Sequence, residues 1–170
     1  LVTKDPELFA KLLHNRELFG GIVGPMEAWL MIRGLRTMAA RLEQHQKTAM
    51  EVAKFLEEQP MVEKVYYPGL PSHPQYELMK QQQTGNCGLL SFELKGTLEQ
   101  AVRFAESLKI FKIGVSWGGF ESLVFLPHMR LDDQTCEELG ASQRIVRIHC
   151  GLEGTESLIS DLRSALERIY

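Results

Sequence analysis

Ile145-Val146-Arg147-Ile148-His149-Cys150 is an apolar strand with a guanidinium at its centre. The two-residue period of a strand puts Val146, Ile148 and Cys150 on one face and Ile145, Arg147 and His149 on the other. An arginine at that place is either solvated on an open sheet face or held against an anion. Its planar fork suits a carboxylate through two parallel hydrogen bonds. Downstream, from about Thr155 to Ile169, Leu158, Ile159, Leu162, Ala165, Leu166 and Ile169 line one face of a helix.

Working back from that strand, Ser122–Phe125 and Ile110–Val115 are strand-like pieces, Gly88–Leu94 reads as a buried strand and Val62–Tyr67 as another. Between them a helix over about Leu98–Leu108 carries Ala101, Val102, Ala105 and Leu108 on its apolar side. Short helices are predicted over Pro74–Gln82 and near Gln134–Leu139, and Pro68-Gly69-Leu70-Pro71 is a turn. The connections are too short for a long parallel series. The expectation is an antiparallel or mixed sheet with helices on one face.

The first third of the chain is helical in pattern. Asp5-Pro6-Glu7 is a helix start, followed by apolar Leu8, Phe9, Leu12 and Leu13 and a stop at Phe19-Gly20-Gly21. From Gly24-Pro25 onward Met31, Leu35, Met38, Leu42, His45, Ala49, Val52 and Leu56 recur at alternating steps of four and three until Pro60. Gly34 sits inside this pattern and marks a place for a kink. One helix from Pro25 to about Glu58 would be roughly 50 Å long. A compact domain of this size is only about 40 Å across, so the helix overhangs unless it bends, and an overhang implies a neighbouring domain or subunit. The reading is an α/β chain of the α+β type: a linking helix over 1–24, a long connecting helix over 25–59 and a small α/β domain over 60–170.

The 170 residues are 44% hydrophobic and 24% charged, which excludes a disordered or collagen-like chain. A net charge of −3 with no long run of one sign argues against general attraction to nucleic acid or an anionic membrane. No apolar run approaches the roughly 20 residues of a membrane span, and no signal-peptide pattern is present. Cys87, Cys136 and Cys150 have no zinc spacing and fit reduced thiols in a cytoplasmic protein. The first residue is Leu1, which makes a piece of something longer the expectation.

Of the five histidines, His45 falls on the apolar stripe and reads as a satisfied core residue, while His14 and His73 lie in polar or turn contexts; no metal ligand set is recognisable. Thr84-Gly85-Asn86-Cys87-Gly88 leads into a strand, not out of one into a helix, and reads as a turn. Ser116-Trp117-Gly118-Gly119-Phe120-Glu121-Ser122 interrupts two apolar strands with glycines, an indole and polar side chains. It is either an ordinary strand-to-strand loop or a place where backbone N–H groups face a ligand.

Three stretches together resemble one family: Gly24-Pro25 through Trp29-Leu30-Met31-Ile32-Arg33-Gly34-Leu35-Arg36-Thr37, Val65-Tyr66-Tyr67-Pro68-Gly69-Leu70-Pro71-Ser72-His73-Pro74, and the Ser116–Leu123 loop, completed by Arg147–Glu153. Across nearly the whole chain the pattern is similar to the C-terminal part of the Cys/Met-metabolism pyridoxal-phosphate enzymes, the fold-type I group that includes cystathionine β- and γ-lyases, methionine γ-lyase and cystathionine γ-synthase. The resemblance implies pyridoxal 5'-phosphate in the full-length enzyme, bound by an N-terminal domain that supplies the Schiff-base lysine. Lys4 only superficially resembles that lysine, so no catalytic residue and no bound cofactor are expected in this chain alone.

Residue by residue, the resemblance assigns Arg147 to the α-carboxylate of a sulfur amino-acid substrate, and Ser116 and Trp117 to the loop that contacts the same carboxylate. Val115 stands at a specificity position where many γ-lyases carry glutamate; with Trp117 in place of leucine, the string leans toward the β-lyase branch. Leu126-Pro127-His128-Met129-Arg130 also departs from the usual stretch after the loop, and no role is assigned to His128 or His149. Two functions follow as expectations: the substrate-orienting domain of a carbon–sulfur lyase that forms a homo-oligomer, or a non-catalytic interaction module derived from that domain.

Overall fold

The strand read first in the sequence is the middle of the sheet. A computed structural model describes residues 2–169. In chain order its elements are α1 (Pro6–Phe19), α2 (Pro25–Arg36), α3 (Met38–Glu57), β1 (Val62–Tyr66), α4 (Tyr76–Gln82), β2 (Leu89–Leu94), α5 (Leu98–Ser107), β3 (Lys112–Ile113), β4 (Leu123–Phe125), α6 (Asp133–Leu139), β5 (Ile145–His149) and α7 (Thr155–Ile169). The strands form one mixed sheet in the order β1-β2-β5-β4-β3. Pairing is antiparallel except between β3 and β4. This is the α/β class expected from the sequence.

The chain divides into two units at Ala39/Ala40. In the first, Asp5 caps α1 by accepting from the N–H groups of Glu7 and Leu8, and Gly20 ends it in the left-handed region at φ 69°. Neither α1 nor α2 has a buried residue. The single helix expected over 25–58 is in fact two. Thr37, at φ −110° and ψ 4°, separates α2 from α3, and its hydroxyl donates to the carbonyl of Gly34. A β-branched hydroxyl bonding back to the preceding turn competes with the helical ladder, so the interruption falls three residues after the glycine.

In the second unit the alternation along β5 decides which way the sheet faces. Val146 and Ile148 are fully buried with Leu90, Phe92 and Leu94 of β2 and Val124 of β4. Ala49, Val52, Ala53 and Leu56 of α3, Ala101, Phe104 and Ala105 of α5, and Leu158, Leu162, Ala165 and Leu166 of α7 belong to the same core. Phe92 and Phe104 meet edge to face with ring centroids 5.7 Å apart. Thr97 and Gln100 close a capping box on α5, and the Gln100 amide donates on to the carbonyl of Ile169 near the end of α7. The opposite sheet face is only half covered: Leu89, Ser91, Glu93, Phe125 and Arg147 all remain partly exposed.

The strand expected over 110–115 pairs only at Lys112–Ile113. Asp161 of α7 explains the shortening. Its carboxylate accepts from the backbone N–H groups of Lys109, Ile110 and Phe111 at 2.7–3.3 Å and is 9% exposed. These donors are therefore unavailable to a ladder, and pairing with β4 begins at the next residue, where Lys112 N–H donates to Ser122. Asp161→Ala leaves three donors without their acceptor. It is expected to cost about 3 kcal/mol of unfolding free energy, read by urea denaturation; a loss below about 1 kcal/mol would contradict this role.

Candidate functional site

Arg147 lies opposite Ser91 on β2 and Phe125 on β4, so both neighbours share its sheet face. Its guanidinium carbon sits 5.2 Å from the centroid of the Phe125 ring, a cation–π contact. One Nη2–H donates to the carbonyl of Val115. Among the described residues no carboxylate pairs with it. A half-buried guanidinium has five N–H donors. One is turned to the loop, and the fork is left available for an anion.

The loop between β3 and β4, residues 114–122, is held against the end of β5 by a compact polar knot. Ser122 is fully buried. Its hydroxyl donates to Glu153 Oε2 at 2.7 Å and accepts from Gly151 N–H at 2.8 Å, while its own N–H donates to Glu153 Oε1 at 2.7 Å. Leu152 N–H donates to the carbonyl of Phe120 at 2.8 Å. The two backbones approach so closely at Gly151 that a Cβ there would stand 2.3 Å from the Phe120 carbonyl oxygen. Only glycine fits.

His149 closes the other side of the loop. It is 3% exposed, and its Nε2 lies 3.1 Å from both the N–H of Gly118 and the carbonyl of Gly119. Burial, chiefly, with the neighbouring His45, holds its pKa below the ordinary histidine value; the Gly119 carbonyl, Glu121 and Glu153 pull the other way without prevailing. His45 on α3 is 2% exposed, and the carbonyl of Cys150 accepts from its Nδ1 at 2.7 Å. The core histidine expected from the sequence is thus hydrogen-bonded at Nδ1, while its Nε2 has no partner among the described residues.

The residues singled out by the sequence come together in part. The Val115 backbone meets Arg147 directly, and its side chain is exposed. Ser116 and Trp117 follow on the same loop with their side chains exposed. Asp161, Ser122, Glu153 and the His45–His149 contact were missed. Ser122 stood at the end of the glycine-and-tryptophan string and His149 on the arginine's side of the alternation, so both carried a faint signal. Asp161 carried none. Cys87, Cys136 and Cys150 are all free, and no described helix is long and apolar enough to cross a membrane.

A family model described as "Cys/Met metabolism PLP-dependent enzyme" matches residues 1–167. The chain is 46% identical to a protein named cystathionine gamma-lyase from Homo sapiens over 93% of its own length and 41% of that protein's. It is 40% identical to cystathionine gamma-lyase from Dictyostelium discoideum, over 99% and 44% of the two lengths. It is also 39% identical to cystathionine beta-lyase from Lactococcus lactis subsp. cremoris, over 99% and 45%. The chain therefore spans less than half the length of these curated relatives.

If the Ser122 knot holds the loop, Ser122→Ala loosens it. Amide hydrogen exchange at Gly151 and along 114–121 should quicken about tenfold, with a stability loss of about 1–2 kcal/mol. Unchanged exchange at Gly151 would contradict the assignment.

Proposed function

The chain belongs to the Cys/Met metabolism PLP-dependent enzyme family, and on that premise we propose that it is the C-terminal, substrate-orienting part of a carbon–sulfur lyase acting on sulfur amino acids of the cystathionine, methionine and cysteine class. The observation that carries this reading is the guanidinium of Arg147 on the central strand, which makes one bond to the Val115 carbonyl and has no ion-pair partner among the described residues, beside a loop tied to the same strand end. A carboxylate bound there gains two charge-assisted hydrogen bonds in a fixed plane. That restrains the amino acid's rotation about its own Cα and presents one bond to the reacting group, an orientation effect. Ser116 and Trp117 border the same approach and complete the carboxylate site; Val115, whose carbonyl already meets Arg147, stands where the choice between substrates is made.

The residues present do not fit the pyridoxal group itself. Such a group needs a lysine for its Schiff base and free donors for its phosphate. The glycine-turn N–H groups of Gly118, Gly151 and Leu152 are already used within the chain. Lys54 and Lys80 pair with glutamates, Lys95 and Lys112 donate to backbone carbonyls, and Lys64 lies over Tyr66. Lys4, beside the cap of α1, and Lys11, Lys47 and Lys109 are exposed to solvent. We therefore assign the cofactor's seat to an N-terminal domain outside this sequence and infer that this chain alone is inactive.

The absence of buried residues from α1 and α2 supports a further element of the proposal. Phe9, Phe19, Ile22, Met26, Trp29 and Leu35 are all more than half exposed. So much apolar surface is covered in a working enzyme, here by the cofactor domain and by other copies in a homo-oligomer. The free thiols are compatible with a cytoplasmic location.

Two measurements test the proposal. In the full-length enzyme Arg147→Ala should lower kcat/KM for cystathionine by about 100-fold or more, mostly through KM; unchanged kinetics would remove the clamp. The isolated 170-residue chain should be colourless after incubation with pyridoxal phosphate and desalting. A retained visible band that hydroxylamine abolishes would overturn the assignment of the cofactor's seat to another domain.

A further inference from the structure

Phe125 on β4 stands directly opposite Arg147 on β5, so backbone pairing brings the two side chains together on one sheet face. The guanidinium carbon lies 5.2 Å from the centroid of the ring. Both residues are only half-buried. The ring nevertheless has a rigid base. Its neighbours Val124 and Leu126 belong to the core, and β4 is paired with β3 on one side and β5 on the other.

A cation in the middle of a sheet can be held in two ways. A carboxylate neutralises it but occupies its N–H donors. An aromatic face attracts the charge through its quadrupole and consumes no N–H. Here the structure uses the second. Glu93, two residues beyond Ser91 on β2, belongs to the same sheet face as Arg147. Its carboxylate is taken by Arg144 at 2.7 Å, and Arg144 is fixed in turn by Ser142 Oγ and the carbonyl of Gly96, both at 3.1 Å. Among the described residues Arg147 is left with the Phe125 ring and one bond to the Val115 carbonyl. The guanidinium is thus held in place with most of its donors unspent.

We propose that Phe125 is a positioning residue for substrate binding: its ring holds the Arg147 guanidinium beside the 114–122 loop while leaving the N–H donors open to an incoming carboxylate. The proposal rests on the carboxylate role of Arg147 given above, and Phe125 acts only through that side chain. An arginine has several rotatable bonds, and an anion that binds a free one must stop their motion. A guanidinium already resting on a ring has lost that freedom before the anion arrives, so less of the binding free energy goes into ordering it. Leucine at the same place would keep the sheet face apolar but offers no quadrupole. The arginine would then spread over solvent-facing rotamers, and the substrate would have to gather it.

The test is a double-mutant cycle in the full-length enzyme, with KM and kcat for cystathionine as readouts. Phe125→Leu should raise KM about three- to tenfold, with kcat changed by less than about twofold. Phe125→Tyr keeps the ring and should restore the wild-type KM. In the Arg147→Ala background Phe125→Leu should add nothing further, since the side chain it positions is gone. Should Phe125→Leu fail to fold, by circular dichroism and thermal melting, Phe125→Met carries the same expectations. A wild-type KM in Phe125→Leu, an equal rise in Phe125→Tyr, or an undiminished effect of Phe125→Leu beside Arg147→Ala overturns the proposal while leaving the clamp standing. An unchanged KM in Arg147→Ala alone removes the clamp itself, and the role of Phe125 falls with it.

Discussion

Arg147 donates to the carbonyl of Val115 and rests on the ring of Phe125, on the central strand of the sheet, with no carboxylate among the described residues paired to it. A guanidinium cannot shed its proton, so its charge must be met by water or by an anion. Partial exposure makes the first tolerable in the free protein. The second is what the proposed substrate carboxylate would provide. The strand supplies a rigid base, since β5 is paired on both sides, and the aromatic ring fixes the side chain's direction.

The remainder of the fold can be understood as the means of keeping the 114–122 loop beside that guanidinium. Asp161 gathers the N–H groups ahead of β3 and sets where the strand starts. Ser122 and Glu153 bind the loop's far end to the turn after β5. His149 meets its glycines from the core side. Two of these contacts hold the loop itself and the third fixes the strand that leads into it, and each joins groups far apart in sequence. The loop's two parallel strands are too short to hold it by ladder bonds alone.

What the sequence made legible follows from local physics. The cap of α1, the period along α7 and the alternation along β5 depend on residues within a turn or two of each other, and these expectations hold in the structure. The interruption at Thr37 was missed because the apolar steps run straight through it, while the break arises from a side-chain hydroxyl and a glycine carbonyl. The shortening of β3 was missed because Asp161 reaches it across 52 positions. His45 sits 105 positions from the carbonyl it meets, so a periodic stripe could show that it is buried but not what it touches. The motif at Val115–Trp117 leaned toward β-lyases, yet identity over the whole chain is 40–46% to the gamma-lyases and 39% to the beta-lyase named above. Overall similarity is dominated by core and surface positions and does not sort substrates.

A crystal structure of the full-length protein with a bound sulfur amino acid tests the central claim most directly. The account predicts the α-carboxylate in the plane of the Arg147 fork, with two N–O distances of about 2.7–2.9 Å and the Val115–Trp117 backbone along its edge. A carboxylate seated elsewhere, with Arg147 turned to solvent, would contradict it.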